Sequence, residues 1–137
     1  MRRIYMVVGC PGSGKSWVCK QLTEQFHYVP HDASRNVVDY VHTIRGEAIR
    51  STGPMLIETP FSVSQIKAPL EAAGFEVIPL FIQEHPMVIA ARYMAREGKP
   101  IPTGHLTRQE TYRQRAITLK AFAGPSGAVL AHLKSMA

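Results

Sequence analysis

Eight consecutive residues, Gly9-Cys10-Pro11-Gly12-Ser13-Gly14-Lys15-Ser16, fit the pattern GxxxxGK[ST] at every fixed position. Glycines let successive backbone N–H groups turn inward around an anion with no Cβ in the way. The helix that should follow offers free donors and a favourable dipole to the same anion. The amine of Lys15 can reach β- and γ-phosphates, and the Ser16 hydroxyl can ligate Mg²⁺. On average residue frequencies a chance match in a chain of 137 residues is roughly half a percent. The expected ligands are therefore ATP, or another nucleoside triphosphate, with Mg²⁺.

Three further groups could work on those phosphates. Asp32 and Asp39 are the two aspartates of the chain, and Asp32 falls just after the second predicted strand. That is the carboxyl edge at which open α/β sheets bind ligands. Arg35 follows one helical turn later, on a similar face. A carboxylate there could take the proton of an acceptor hydroxyl while Arg35 holds an anionic acceptor. The same spacing also suits a helix cap at Asp32 or Ser34, and the two roles are compatible. Glu58 ends the third predicted strand at the same edge, where an acid can hold Mg²⁺ through water; it also reads as an ordinary exposed strand-end acid. Arg92 and Arg96 share one helix face at i, i+4, with Lys99 close behind. They read either as cations over a transferring phosphate or as the favourable C-terminal charges of a surface helix.

These residues need a scaffold, and the hydrophobic pattern supplies one. Short apolar runs at 3–8, 28–31, 55–57 and 76–82 predict four strands. Helices are predicted between them, at 16–26, 33–50, 62–74 and 86–97; the third opens on a Ser62-x-x-Gln65 capping box, and Pro86 suits a first helical position. The two glycines and two prolines of 98–104 predict a loop. Thr107-x-x-Glu110 predicts a second capping box, opening a long basic helix to about residue 123. A break at 124–127 and a final helix over 128–136 follow, with a fifth strand in that last stretch left open. Alternating strands and helices imply an α/β fold, a parallel sheet of about four strands flanked by helices. One domain spans 1–137, with an arginine-bearing lid at about 92–106 and basic helices at 107–136.

Hydrophobic residues at 45% and charged residues at 19% mark an ordinary globular chain. No apolar run approaches the 18 or so residues of a membrane span, and 4–8 is too short for a signal-peptide core. Residues 1–91 carry eight Lys or Arg and eight Asp or Glu; 92–137 carry eight against Glu97 and Glu110. The whole net charge of +6 thus sits in the last third. A one-sided basic region suggests an anionic partner, nucleotide phosphates or nucleic acid, or else a solvated helix face. Cys10 and Cys19 fit no zinc or CxxC spacing, the six histidines form no metal motif, and a reducing, cytoplasmic setting is expected. No protein partner is implied.

The P-loop, then Asp32-x-x-Arg35, then Arg92-x-x-x-Arg96-x-Gly98-Lys99-x-Ile101-Pro102, together resemble the kinase domain of phage-type polynucleotide 5′-hydroxyl kinases, over roughly residues 1–115. Zeta-toxin and small-metabolite P-loop kinases are more distant relatives. The resemblance implies that Asp32 is the general base, that Arg35 binds the acceptor phosphate, and that Arg96 contacts the donor phosphates and stabilises the transition state. The chain departs from the pattern in having Glu58 for an Asp, Trp17 for a common Thr, a shortened acceptor region between the second and third strands, and no phosphatase domain. The function this implies is ATP-dependent transfer of the γ-phosphoryl group to a hydroxyl of nucleic acid, DNA above all. Both a 5′ end and a hydroxymethyl group on a modified base qualify as acceptor. A kinase of a free nucleoside, nucleotide or other small metabolite is the alternative, and an ATP-binding switch or ATPase module is another. The sequence contains no NKxD or TKxD of a guanine-specific GTPase.

Overall fold

The Arg2–Val8 segment alternates so that both of its faces are apolar, and it forms the central strand β1. Ile4, Met6 and Val8 enter one core cluster, while Tyr5 and Val7 enter the other. Such a strand needs a neighbour on each side and helices on both faces. The computed structural model, which describes residues 2–10, 12–31, 36–59 and 62–136, supplies them. The remaining strands are β2 (His27–Val29), β3 (Met55–Glu58), β4 (Phe75–Ile82) and β5 (Phe122–Gly124), in the order β2-β3-β1-β4-β5. All pairings are parallel, with Val7 opposite Glu58 on one side and Leu80 on the other.

The helices are α1 (Lys15–Lys20), α2 (Val37–Arg50), α3 (Val63–Ala72), α4 (Pro86–Glu97), α5 (Thr103–Leu119) and α6 (Ser126–Met136). From β1 the chain moves outward to β2, then returns through β3 and crosses to β4 and β5. Uniform right-handed crossover places the outward helix on the opposite face from those that come back. The core follows that rule. Val18 and Cys19 of α1 pack with Val129 and Leu133 of α6, whereas Tyr40, Ile66, Ile89 and Tyr112 of α2 to α5 fill the other side. The reversal of direction beside β1 opens the crevice in which ligands of such sheets sit. No helix among the described residues is long and apolar enough to cross a membrane.

Several boundaries differ from the sequence expectation. The sheet has five strands rather than about four. The fifth is Phe122–Gly124, where the end of a helix at about 123 and a break from Gly124 were expected, while the residues in which a fifth strand was left open belong to α6. Lys120 takes a left-handed conformation at φ 52°, which ends α5 and turns Phe122 into register with Leu80. The basic segment 107–136 is accordingly helix, strand and helix. The loop expected at 98–104 shrinks to 98–102, because α5 already begins at Thr103 behind Pro102. Thr107 caps nothing, and its hydroxyl donates to the Thr103 carbonyl. The helix expected to run from 16 to 26 ends at Lys20 and continues as tight turns with i to i+3 bonds, keeping Leu22 and Phe26 buried. Helix α2 begins at Val37 and is capped by Asn36, which accepts the Asp39 N–H at 2.9 Å, while Asp32 and Ser34 lie outside the described residues.

One buried hydroxyl fastens the outer strands. Tyr40, fully buried on α2, has its hydroxyl 2.7 Å from the Val29 carbonyl and 3.0 Å from the Glu58 carbonyl. Tyr40→Phe strands buried acceptors at the ends of β2 and β3, and should cost about 1 kcal/mol or more. Urea unfolding checks this, and an unchanged midpoint would contradict it.

Candidate functional site

The P-loop leaves β1 at Val8 and enters α1 at Lys15. Ser13 N–H bonds the Cys10 carbonyl at 3.1 Å, and Gly12 and Gly14 hold φ of 83° and 101°, conformations that glycine adopts without strain. A Cβ on Gly9 would collide with Ser13 Oγ, and one on Gly14 would press on Ser126 and the Arg92 guanidinium. Gly14 caps α1 with no side-chain hydrogen bond, which leaves the helix start open to an anion. Ser13 Oγ is buried without a hydrogen-bond partner among the described residues. The loop borders a cavity of about 330 Å³ lined by Lys15, Ser16, Trp17, Arg92 and Arg96.

Glu58 meets this loop from the end of β3. Its carboxylate accepts from Ser16 Oγ, which lies 3.2 and 3.1 Å from the two oxygens, and from the Tyr28 hydroxyl. It is buried, with 9% exposure, so the reading as an ordinary exposed acid does not hold. A hydroxyl and a carboxylate side by side at the mouth of a phosphate cradle fit Mg²⁺, which takes one or two protein oxygens and completes its shell with water and phosphate. Among the described residues no cluster of three or more His, Cys, Asp or Glu exists that could hold a metal without phosphate.

Arg92 and Arg96 project from α4 into the same cavity but are held differently. Arg92 Nη1 lies 3.1 Å from the Ser13 carbonyl and 3.4 Å from that of Gly12, and 3.6 Å from Glu84 Oε1. It braces the P-loop as well as lining it. Arg96 sits against its neighbour Glu97 at 3.0 Å and 5.7 Å from the Tyr93 ring centroid, more than half exposed. That position lets it swing toward a phosphate. Glu84 is nearly buried and also accepts from Ser126 N and Oγ at 2.9 and 2.8 Å, capping α6. Gln109 of α5 closes the circuit, donating to the Glu84 carbonyl at 2.7 Å and standing 3.7 Å from Cys10 Sγ.

Burial pushes the Lys15 ammonium below its ordinary range; Glu58 opposes that shift and Arg108 adds to it. Burial likewise raises the Tyr28 hydroxyl, helped by its bond to Glu58. Burial also raises the Cys10 and Cys19 thiols, both of which are free. These thiols are structural rather than nucleophilic.

Pro11, Asp32 and Arg35 lie outside the described residues, so the expected base and acceptor arginine have no geometry here. Lys15, Ser16, Arg92 and Arg96 line one cavity, and Glu58 is bonded to Ser16 beside it. Tyr28, Glu84, Gln109 and Ser126 escaped sequence reasoning. Of these, Glu84 carried a signal, since it follows β4 at the same sheet edge at which Glu58 ends β3.

The chain matches no protein-family model, and no curated protein matches it by sequence. Among solved structures it is similar to a gluconokinase from Sinorhizobium meliloti 1021, with a TM-score of 0.53 and 22% identity over 81% of this chain and 75% of that one. It is also similar to the Deinococcus radiodurans tunicamycin resistance protein, with a TM-score of 0.60 and 13% identity over 80% and 78%. An uncharacterized protein from Eubacterium ventriosum ATCC 27560 aligns over 98% of this chain and 97% of its own, at a TM-score of 0.60 and 13% identity. At such identities the likeness is one of fold. The chain shares with them an α/β fold, here a parallel five-stranded sheet flanked by helices, with the P-loop joining β1 to α1.

The shift on Lys15 carries a sign. The unfolded chain binds that proton more tightly than the folded one, so stability rises with pH in the alkaline window below the ordinary lysine value. Lys15→Met should remove this slope without destabilising the free protein at neutral pH. It should weaken MgATP binding about tenfold or more, as loss of hydrogen bonds to a charged group implies. Thermal midpoints with and without MgATP test both parts. An undiminished ATP-induced stabilisation in Lys15→Met would contradict the role given to Lys15.

Proposed function

We propose that this protein is an ATP-dependent kinase that transfers the γ-phosphoryl group to a hydroxyl of nucleic acid. The observation that carries the reading is the set of groups around one 330 Å³ cavity: the P-loop and Lys15, Ser16 beside Glu58, and two arginines of α4. Lys15 and the loop N–H groups hold the donor phosphates. Ser16 and Glu58, the latter through water, would hold Mg²⁺, which when bound neutralises charge on the β- and γ-oxygens. Arg92 fixes the loop from outside, and Arg96 offsets charge that builds on the transferring group. A switch protein has no need of the second arginine.

The acceptor half rests on the resemblance of Asp32-x-x-Arg35 to the polynucleotide kinases and on the +6 charge gathered after residue 91. In that reading Asp32 takes the proton from the attacking hydroxyl, and Arg35 holds an acceptor phosphate. DNA is the favoured acceptor, either at a 5′ hydroxyl or at a hydroxymethyl base, in a cytoplasmic setting. A second reading, a kinase of a small metabolite, is favoured by the similarity of fold to the gluconokinase.

Transfer of labelled γ-phosphate from ATP separates these readings, using 5′-hydroxyl oligonucleotides, hydroxymethyl-base DNA, nucleosides, nucleotides and sugars as acceptors. Labelled oligonucleotide is the expected result, with Asp32→Asn slowing transfer by about 10²–10⁴-fold. Arg96→Ala should likewise remove most of the transfer. Label on monomers alone would replace nucleic acid with a metabolite, and ATP hydrolysis without any labelled acceptor would overturn the kinase.

A further inference from the structure

Helix α5 has two unlike sides. Arg113 and Glu110 pair on one of them, with Arg113 Nη2 2.7 Å from Glu110 Oε1, and that bond draws the Glu110 carboxyl down to about 2. On the other side Arg108 and Arg115 stand two turns apart, on one face and about 10 Å along the axis. Neither forms an ion pair among the described residues. Their face is turned toward α3. With Ser62, at the start of that helix, they line a cavity of about 370 Å³. Arg115 also lines a second cavity, of about 290 Å³, with Val63, Lys67 and Leu119. The two cavities therefore form one furrow that passes from Arg108 to Leu119 between α3 and α5.

Three properties of the furrow point to its occupant. Among the described residues its charge is uncompensated, because Lys67 is paired with Glu71 at 2.6 Å while the two arginines are left over. Its threonines are turned back on their own helix, Thr111 to the Thr107 carbonyl and Thr118 to that of Gln114, so anion binding falls to the guanidinium groups. Its inner end lies toward the P-loop, since Gln109, next to Arg108, stands 3.7 Å from Cys10 Sγ. At the outer end Leu119, 44% exposed, offers an apolar surface to a base.

We propose that this furrow is the track for the acceptor strand, with single-stranded nucleic acid laid between α3 and α5 and Arg108 and Arg115 each taking a backbone phosphate. The inference rests on the polynucleotide reading and assigns that acceptor a path away from the reacting end. A single strand suits it better than a duplex, because one furrow bordered by two helices holds one line of phosphates and leaves the bases free to rest on its apolar end.

The test is fluorescence anisotropy of labelled single-stranded oligonucleotides, one to eight nucleotides long, on the whole protein across a salt series. Affinity should climb with length until the strand spans both arginines and then level off. Arg115→Gln should flatten the salt slope by about 0.7, which is about fivefold weaker binding at 0.1 M salt relative to 1 M. Arg115→Lys, which keeps the charge, should restore most of the slope and guards against a folding defect. Arg113→Gln, on the paired side, should bind as the parent does. Equal slopes for the parent and Arg115→Gln would overturn the furrow, as would polyglutamate binding as tightly as the oligonucleotide. If labelled phosphate still reaches an oligonucleotide in that case, only the furrow is lost. If no oligonucleotide is labelled at all, the failure lies with the polynucleotide reading itself.

Discussion

The site depends on one carboxylate that is not part of the phosphate cradle. Glu84 stands just beyond β4, nearly buried, and accepts from the Ser126 N–H and hydroxyl while facing the Arg92 guanidinium. A carboxylate shielded from water persists only where donors and a cation replace the water. Here those partners come from α4 and α6, and Arg92 passes the tie onward to the Gly12 and Ser13 carbonyls. Within the P-loop the Ser13 N–H to Cys10 carbonyl bond gives some stiffness, but the glycines have no side chains to add more. Its carbonyl side is therefore gripped from without. Removing Glu84 would free Arg92, uncap α6 and slacken the loop together.

On the opposite side Glu58 performs a complementary task. It is fixed by the Tyr28 hydroxyl, and its backbone carbonyl is reached by Tyr40, so both tyrosines define where the carboxylate stands beside Ser16. The Tyr28 bond holds the end of this long side chain in place. The parallel register sets the distance: Glu58 lies opposite Val7, one residue before β1 ends. Sheet pairing thus decides how close the acid comes to the loop.

Much of this was legible in the sequence, and the exceptions have physical causes. The strands β1, β3 and β4 are continuous apolar runs, and the P-loop is a fixed pattern of residue types; neither needs tertiary information. Strand β5 was hidden because Ala121-Phe122-Ala123 has good helical residues around its aromatic, and it becomes a strand only by pairing with β4. The capping box expected at Thr107 does not form because α5 already begins at Thr103 behind Pro102, and the Glu110 carboxylate is taken by Arg113 instead. The basic C-terminal third was visible as a sum. Which of its arginines are spent on neighbours depends on rotation around α5, and two positions of shift reverse the answer. Glu84 and Gln109 work through contacts between distant elements, which no local pattern records.

The placement of Gln109 has a further consequence. Its amide touches both the P-loop thiol of Cys10 and the backbone carbonyl of Glu84, while the residue before it, Arg108, faces the furrow. One stiff helix therefore spans the two halves of the molecule like a beam resting on both supports. Gln109 thus ties α5 to the P-loop and to the end of β4 at one point. By linkage any such coupling is mutual: whatever free energy an event at one support lends to the other, it receives back.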